Sequence, residues 1–262
     1  MPATPNVVLF GGSGSGKSSI INMLAERPVA AVSSSVYGCT FTSARYAVDI
    51  MGSLYNIYDT AGLDEGNTGT VPKTEAIVQL FRLLKNLDTG VNLLVFVMRG
   101  PRIKDAAYKN WRLFSEIICR GQVPVVIAIT GLENEPVMDE WWGRNQDAFR
   151  QCGIYPRGVG CITASKGPSR AYGHVFEDEY EESKQKMRML MKHRLEYPWK
   201  VQAVEWFSSI VHVTYESRAC RKAKEHRTVE TVVGPGIKEL VERCEMTAEE
   251  AKELGNRLLH VT

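Results

Sequence analysis

A chain of 262 residues is long enough for one well-buried core with an appendage, or for two small domains. Hydrophobic residues make up 44% and charged residues 24% of it, an ordinary globular composition that excludes disordered and fibrous classes. The formal net charge of +2 is too near neutral to argue for nucleic acid as a partner, and none is expected.

The six cysteines (Cys39, Cys119, Cys152, Cys161, Cys220 and Cys244) form no C-x-x-C pair and no metal-ligand spacing. Reduced thiols in the cytosol are the simplest reading. The first residues carry no basic region, and the apolar run Val7–Phe10 is too short for a signal peptide. No stretch approaches the roughly 20 apolar residues of a membrane-spanning helix. A cytoplasmic protein is expected, attached to a membrane at most peripherally.

In chain order, Asn6–Phe10 reads as a buried strand, followed by a Gly-rich stretch and a helix over Ser18–Ala25. Tyr46–Met51 and Leu54–Tyr58 flank Gly52-Ser53 as a hairpin, which makes one edge strand antiparallel. Val71–Leu87 has a helical apolar face of Ile77, Leu80, Phe81, Leu84 and Leu87. Val91–Met98 is a continuous apolar run, expected of a central strand covered on both faces. Helix Asp105–Cys119, strand Val123–Ile129, helix Met138–Cys152 and strand Gly158–Thr163 complete an alternation that predicts a layered α/β sheet.

After about Ser165 the alternation stops. Phe176–Tyr197 reads as one helix, acidic at its start and basic at its end in the order that complements the helix dipole, and Pro198 stops it. Val201–Tyr215 fits either a strand or a helical face. Thr247-Ala248-Glu249-Glu250 is a capping-box pattern before a final short helix. The expected division is therefore 1–170 for the α/β domain and 171–262 for a mainly helical C-terminal extension.

The chemistry is concentrated at strand ends. Gly11-Gly12-Ser13-Gly14-Ser15-Gly16-Lys17-Ser18 satisfies G-x-x-x-x-G-K-[ST] between a strand and a helix. Its glycines let successive N–H groups point inward at phosphate oxygens, and the helix N-terminus adds partial positive charge. Residues Ser13, Gly14, Ser15, Gly16, Lys17, Ser18 and Ser19 are the expected phosphate cradle. Lys17 is expected at the β and γ phosphates, and the Ser18 hydroxyl on Mg²⁺.

Asp59-Thr60-Ala61-Gly62 follows the second hairpin strand. Asp59 is expected to hold Mg²⁺, usually through water, and the Gly62 N–H to sense the γ-phosphate. Gly38-Cys39-Thr40 lies between the first helix and the hairpin. Thr40, or its neighbour Thr42, would give Mg²⁺ a hydroxyl and the γ-phosphate an N–H, ordering that loop with triphosphate.

Thr130-Gly131-Leu132-Glu133 lies where a base-recognition loop belongs, at the carboxyl end of a strand. The Glu133 carboxylate has the chemistry to accept from N1–H and N2–H₂ of guanine together, although an acidic helix-capping loop before Pro136 reads the same way. Gly131 stands where a lysine would ordinarily cross the base. Thr163-Ala164-Ser165-Lys166 follows the last strand, and Ala164 and Ser165 are placed to offer N–H groups to the base oxygen.

Together these five elements resemble the nucleotide motifs of a Ras-type G domain over about Thr4 to Lys166. More closely, the chain is similar to the immunity-associated-nucleotide GTPases and their septin and Toc relatives, and to fungal proteins with G domains of that type. The residues that carry this are Ser34–Thr40, Asp59-Thr60-Ala61-Gly62-Leu63 and Arg99-Gly100-Pro101-Arg102. The resemblance implies a three-layer P-loop NTPase G domain with a mixed, mostly parallel six-stranded sheet. It further implies Mg²⁺-dependent binding of GTP and GDP, and nucleotide-controlled switching or homodimerisation.

Two departures stand out. The fourth motif lacks the usual Lys and Asp, which weakens guanine selectivity. Leu63 stands where Ras-like proteins keep a water-orienting Gln, and leucine cannot orient water by hydrogen bonding. Slow hydrolysis of GTP to GDP is expected, with Lys17, Thr40 and Gly62 as the catalytic set. Asp64, Glu65, Asn67 and Thr68 are candidates to replace the missing Gln, and Arg45, Arg99 and Arg102 to act across a dimer. A nucleotide-binding scaffold without useful turnover and an ATP-using P-loop enzyme are the alternatives.

In the extension, Arg218, Arg221, Lys222, Lys224 and Arg227 cluster downstream of Trp199, Trp206 and Phe207. That suits a peripheral membrane or acidic partner surface. A helical extension packed with its charges in water is the plainer reading, since Glu205, Glu216 and Glu225 interrupt the basic face.

Overall fold

The computed structural model describes residues 3–31, 43–63, 73–101, 105–200, 210–214, 228–232, 238, 241–242 and 246–259. Thr40 and Thr42, residues Asp64 to Thr68, Arg102, Glu205, Trp206 and Phe207, and the basic cluster from Glu216 to Arg227 lie outside the described residues.

Ten strands and six helices are described: β1 Asn6–Gly11, α1 Lys17–Ala25, β2 Ala44–Ile50, β3 Ser53–Asp59, α2 Lys73–Lys85, β4 Leu93–Arg99, α3 Asp105–Trp111, β5 Val125–Thr130, α4 Met138–Gln151, β6 Val159–Cys161, β7 Ser169–Arg170, β8 Gly173–His174, α5 Glu177–Arg194, β9 Ile210–Thr214, β10 Thr228–Val232 and α6 Ala248–Leu259. A π-helical stretch, Arg112–Ile118, continues α3.

Six strands form one sheet in the order β2-β3-β1-β4-β5-β6. All neighbours are parallel except β2 and β3, which pair antiparallel around Met51-Gly52. This is the mixed, mostly parallel six-stranded sheet that the resemblance implies. The burial of each strand follows its place. β1 and β5 are buried along their whole length and β4 along all but its last residue, as expected where helices cover both faces. Edge strand β2 alternates instead, with Val48 and Ile50 inward and Arg45, Ala47 and Asp49 outward.

The core on one face joins Val7, Leu9, Ile20, Leu24, Ile57, Val95 and Ala128. Phe10, Phe96, Phe114 and Trp111 form an aromatic cluster, with ring centroids 5.0–6.0 Å apart. Trp141 and Trp142 both pack on Phe149, with centroids 6.3 and 4.7 Å away, which makes them packing residues of α4.

Residues 1–201 form one compact unit and 202–262 a second. The first unit thus runs past the division at 170 read from sequence, because α5 belongs to its core. Met187 and Met191 are fully buried in the cluster that holds Val126, Ala128 and Ile162. Gly158 lets the helix approach closely: a Cβ there would fall 2.6 Å from Leu190 Cδ1. Ion pairs add to the apolar contact. Lys186 meets Asp139 at 2.9 Å, and Arg188 meets Glu26 at the end of α1. The acidic first turn and basic last turn of α5 are present as the sequence predicts.

The second unit contains the antiparallel pair β9–β10 and helix α6. Within the ambiguous segment Val201–Tyr215, the described residues Ile210–Thr214 form a strand. The capping box forms: Glu250 N–H donates to Thr247 Oγ1 at 3.2 Å, and Thr247 N–H donates to Glu250 Oε2 at 2.9 Å. No helix among the described residues is long and apolar enough to cross a membrane.

Candidate nucleotide site

The sheet register brings the motif residues to one edge. Leu9 pairs with Asp59, Gly11 with Val97, Arg99 with Thr130 and Ile129 with Cys161. The carboxyl ends of β1, β3, β4, β5 and β6 therefore lie side by side, where open α/β sheets bind ligands.

The loop after β1 depends on glycine at Gly11, where φ is +147° and a Cβ would sit 2.0 Å from the Val97 carbonyl oxygen. At the other end, Gly16 caps α1 in a left-handed conformation, and no side chain caps the helix. The first N–H groups of α1 are thus left to serve an anion. Ser13 and Gly14 are exposed at the tip, while Ser15 is buried with a hydroxyl that has no partner among the described residues. Lys17 is buried, and its ammonium donates to the carbonyls of Gly11 at 3.2 Å and Gly12 at 2.9 Å, which holds it at the loop.

Ser18 Oγ donates to Asp59 Oδ2 at 2.5 Å, joining the two expected metal residues. Asp59 is 2% exposed, and its other oxygen, Oδ1, has no hydrogen-bond partner among the described residues. Burial pushes the carboxyl above its ordinary value, against the Ser18 hydrogen bond and the nearby Lys17 ammonium, which pull it down. A buried carboxylate with one unsatisfied oxygen beside a hydroxyl and an ammonium suits a hard divalent cation, so these residues fit Mg²⁺.

Gly62 abuts the phosphate loop. A Cβ on it would lie 2.7 Å from Ser13 N and 2.8 Å from Ser13 Cα, so only glycine fits. Leu63 N–H donates to the Gly11 carbonyl at 3.2 Å, and its side chain is fully buried. The third motif is therefore clamped against the first at the two residues that follow Ala61.

The base loop is less regular. Thr130 is buried, and its hydroxyl donates to the Ser15 carbonyl at 2.6 Å, with the Met98 carbonyl at 3.4 Å. The sequence assigns Thr130 to the nucleotide. The structure uses its hydroxyl as a brace between β5 and the phosphate loop. Leu132 is buried, Gly131 has φ +79°, and Glu133 is half-buried with a carboxylate that makes no hydrogen bond or ion pair with described residues.

Beyond β6, Ala164 is half-buried and Ser165 exposed. The Ser165 N–H already points at Thr163 Oγ1, 3.3 Å away, and the Thr163 hydroxyl donates to the Ser165 carbonyl at 3.0 Å. One of the two amides expected to face the base is thus engaged within its own turn. Lys166 is drawn to Glu177 at 2.5 Å and lies 5.0 Å from the centre of the Tyr180 ring. Neither the Thr130 brace nor the Thr163 turn was foreseen. A threonine ending a buried strand next to a Gly-rich loop is the signal available for the first.

Residues 6–130 match the model of a family described as 50S ribosome-binding GTPase. The match ends at Thr130, before the rest of the base loop. A search of curated proteins gives no match. Among solved structures the chain is similar to a dimerization-deficient mutant of Toc33 from Arabidopsis thaliana, with TM-score 0.50 and 18% identity, covering 73% of this chain and 86% of that one. It is similar to Era from Aquifex aeolicus bound to GDP and AlF₄⁻, with TM-score 0.52 and 15% identity over 76% of this chain and 58% of that one. Era in complex with MgGDPNP and a segment of 16S ribosomal RNA also aligns, with TM-score 0.52 and 15% identity, covering 76% and 59%. At these identities the likeness carries the fold. That fold is the P-loop G domain, and the family match over residues 6–130 lies within it.

Proposed function

We propose that this chain binds GTP and GDP with Mg²⁺, hydrolyses GTP slowly to GDP and phosphate, and acts as a nucleotide-controlled switch or assembly protein of the cytoplasm. The observation that carries the reading is the joining of the first and third motifs. Lys17 is held at the loop, Ser18 is bonded to Asp59, and Gly62 is pressed on Ser13.

In this reading the loop amides from Ser13 to Ser19 and the Lys17 ammonium hold the polyphosphate and stabilise charge on the transferring phosphoryl group. Ser18 and Asp59, with Thr40, would hold Mg²⁺. When bound, the metal shares the charge of the β and γ oxygens. Water attacks in line, and no protein nucleophile is needed. Gly62 N–H senses the γ-phosphate, and contact with Ser13 passes that sensing to the tip of the loop. Glu133 reads the guanine edge, and Ala164 and Lys166 keep amides free of the Thr163 turn for the base oxygen.

The finer kinship with immunity-associated-nucleotide, septin and Toc GTPases of fungal type belongs to this reading, as does a nucleotide-dependent homodimer. The Toc33 neighbour, described as dimerization-deficient, supports looking for one. The second unit, residues 202–262, would offer the contact to a membrane surface or acidic partner. RNA is not part of the proposal.

A second reading, a nucleotide-binding scaffold without useful turnover, is favoured by one observation: Leu63 is fully buried and offers water nothing. Single-turnover hydrolysis across a range of protein concentrations separates the two. Acceleration on self-association supports the enzyme, and no turnover at any concentration supports the scaffold.

The central test is equilibrium titration of a fluorescent GTP analogue with Mg²⁺, for the wild type and Lys17→Ala. Binding should be lost in the variant, and unchanged affinity would overturn the proposal. Competition by GTP and ATP tests the base. Tighter ATP binding would move the chain to the ATP-using enzymes, and Glu133→Ala should weaken GTP selectively.

A further inference from the structure

The fourth motif has no lysine, and a different residue fills the space one would take. Gly131 has φ +79°, a conformation that favours glycine. A Cβ built on it would lie 3.3 Å from Arg99 Cγ and 3.5 Å from Arg99 Nε. The direction in which any side chain at 131 would set out is thus occupied by the stem of Arg99.

The placement is fixed by the sheet. Arg99 is the last residue of β4 and pairs in register with Thr130, and Gly100 N–H donates to the Thr130 carbonyl at 2.8 Å. The end of β4 and the start of the base loop are therefore locked side by side. Arg99 is exposed, and its guanidinium makes no hydrogen bond or ion pair with described residues. The Glu133 carboxylate two residues along the loop is equally uncommitted.

We propose that Arg99 is a base-binding residue acting within its own chain: its stem lies over Gly131, and its guanidinium lies along the face of the purine whose edge Glu133 reads. This rests on the nucleotide reading above. A planar, weakly hydrated guanidinium stacks on aromatic faces and is attracted by their π charge. That attraction does not depend on which purine is bound. Arg99 therefore supplies affinity and Glu133 supplies selectivity, dividing between two strands a task that one loop ordinarily performs. The assignment also separates Arg99 from the arginines available to reach across a dimer.

The test compares GTP with ribose 5-triphosphate, which keeps the phosphates and sugar but has no base. Affinities are measured for the wild type, Arg99→Ala, Arg99→Lys and Lys17→Ala, with thermal melting as the folding control. Arg99→Ala should lose about 2- to 30-fold in GTP affinity and none for ribose 5-triphosphate, and Arg99→Lys should recover part of the loss. Lys17→Ala should weaken both ligands. An equal loss for both ligands in Arg99→Ala would place the guanidinium on the phosphates and overturn the assignment. So would unchanged affinity, with or without a fall in concentration-dependent hydrolysis, since the arginine would then not touch the base. If the wild type binds neither ligand, the nucleotide reading itself fails and takes this assignment with it.

Discussion

The Thr130 hydroxyl, at the end of β5, donates a 2.6 Å hydrogen bond to the main-chain carbonyl of Ser15, 115 residues earlier in the chain. The bond ties the strand that leads into the base loop to the loop that would hold phosphate. Its neighbourhood is tight, since a Cβ on Gly16 would come within 3.1 Å of Thr130 Cγ2. Thr130→Val keeps the shape and removes the donor. It should lower stability by about 1 kcal/mol, the net worth of one hydrogen bond, in a urea titration. It should also weaken nucleotide binding, because the loop loses its brace. Thr130→Ser, which keeps the hydroxyl, should retain most of the affinity. Lowered stability with unchanged affinity would confine the brace to folding.

Leu63 invites a different experiment. From sequence alone, a glutamine there would be expected to orient water and restore hydrolysis. The structure argues the reverse, because the side chain is fully buried while its N–H is fixed on the Gly11 carbonyl at 3.2 Å. Leu63→Gln would bury an amide where a hydrocarbon packs, at a cost of about 1–3 kcal/mol. The expected result is a lower melting temperature and no gain in single-turnover rate. A faster turnover at undiminished stability would mean that residue 63 swings out to the nucleotide.

Much of this was legible because the pattern and the physics coincide. Continuous apolar runs at Val91–Met98 and Val123–Ile129 could only be strands covered on both faces, and the Gly11–Ser18 motif leaves few foldings other than strand, loop and helix. Helix α5 was read correctly as a helix but assigned to the extension. Its composition is strongly polar, and the face that enters the core is marked by a few residues, Met187 and Met191 fully buried with Tyr180 and Leu190 packed beside them. The Val201–Tyr215 segment was undecidable, since β-branched residues there also fit helical spacing. Hydroxyl directions were beyond the sequence altogether. Whether Thr130 faces a base or a carbonyl depends on a contact 115 residues distant, and no local pattern encodes it.

Asp59 sets stability against function. Burial raises its folded-state pKa above the unfolded value, and the Ser18 hydrogen bond and Lys17 charge only partly oppose that. A raised pKa means that the fold favours the protonated carboxyl. The stabilising contribution is complete below the unfolded pKa and is lost as pH rises through the folded pKa, so the ionised form burdens the fold at neutral pH. Asp59→Asn removes that charge while keeping an oxygen to accept from Ser18. Without ligand, the variant should therefore melt at a higher temperature than the wild type at neutral pH, and the difference should shrink as the solution is acidified. Mg²⁺-dependent nucleotide affinity should move the other way, falling about 10- to 100-fold as expected for a residue that holds the metal through water. Melting curves from neutral to acid pH, paired with nucleotide titrations with and without Mg²⁺, read both effects. A variant less stable than the wild type at neutral pH would show that the Ser18 and Lys17 contacts outweigh burial, and that Asp59 is held for the fold rather than for a metal.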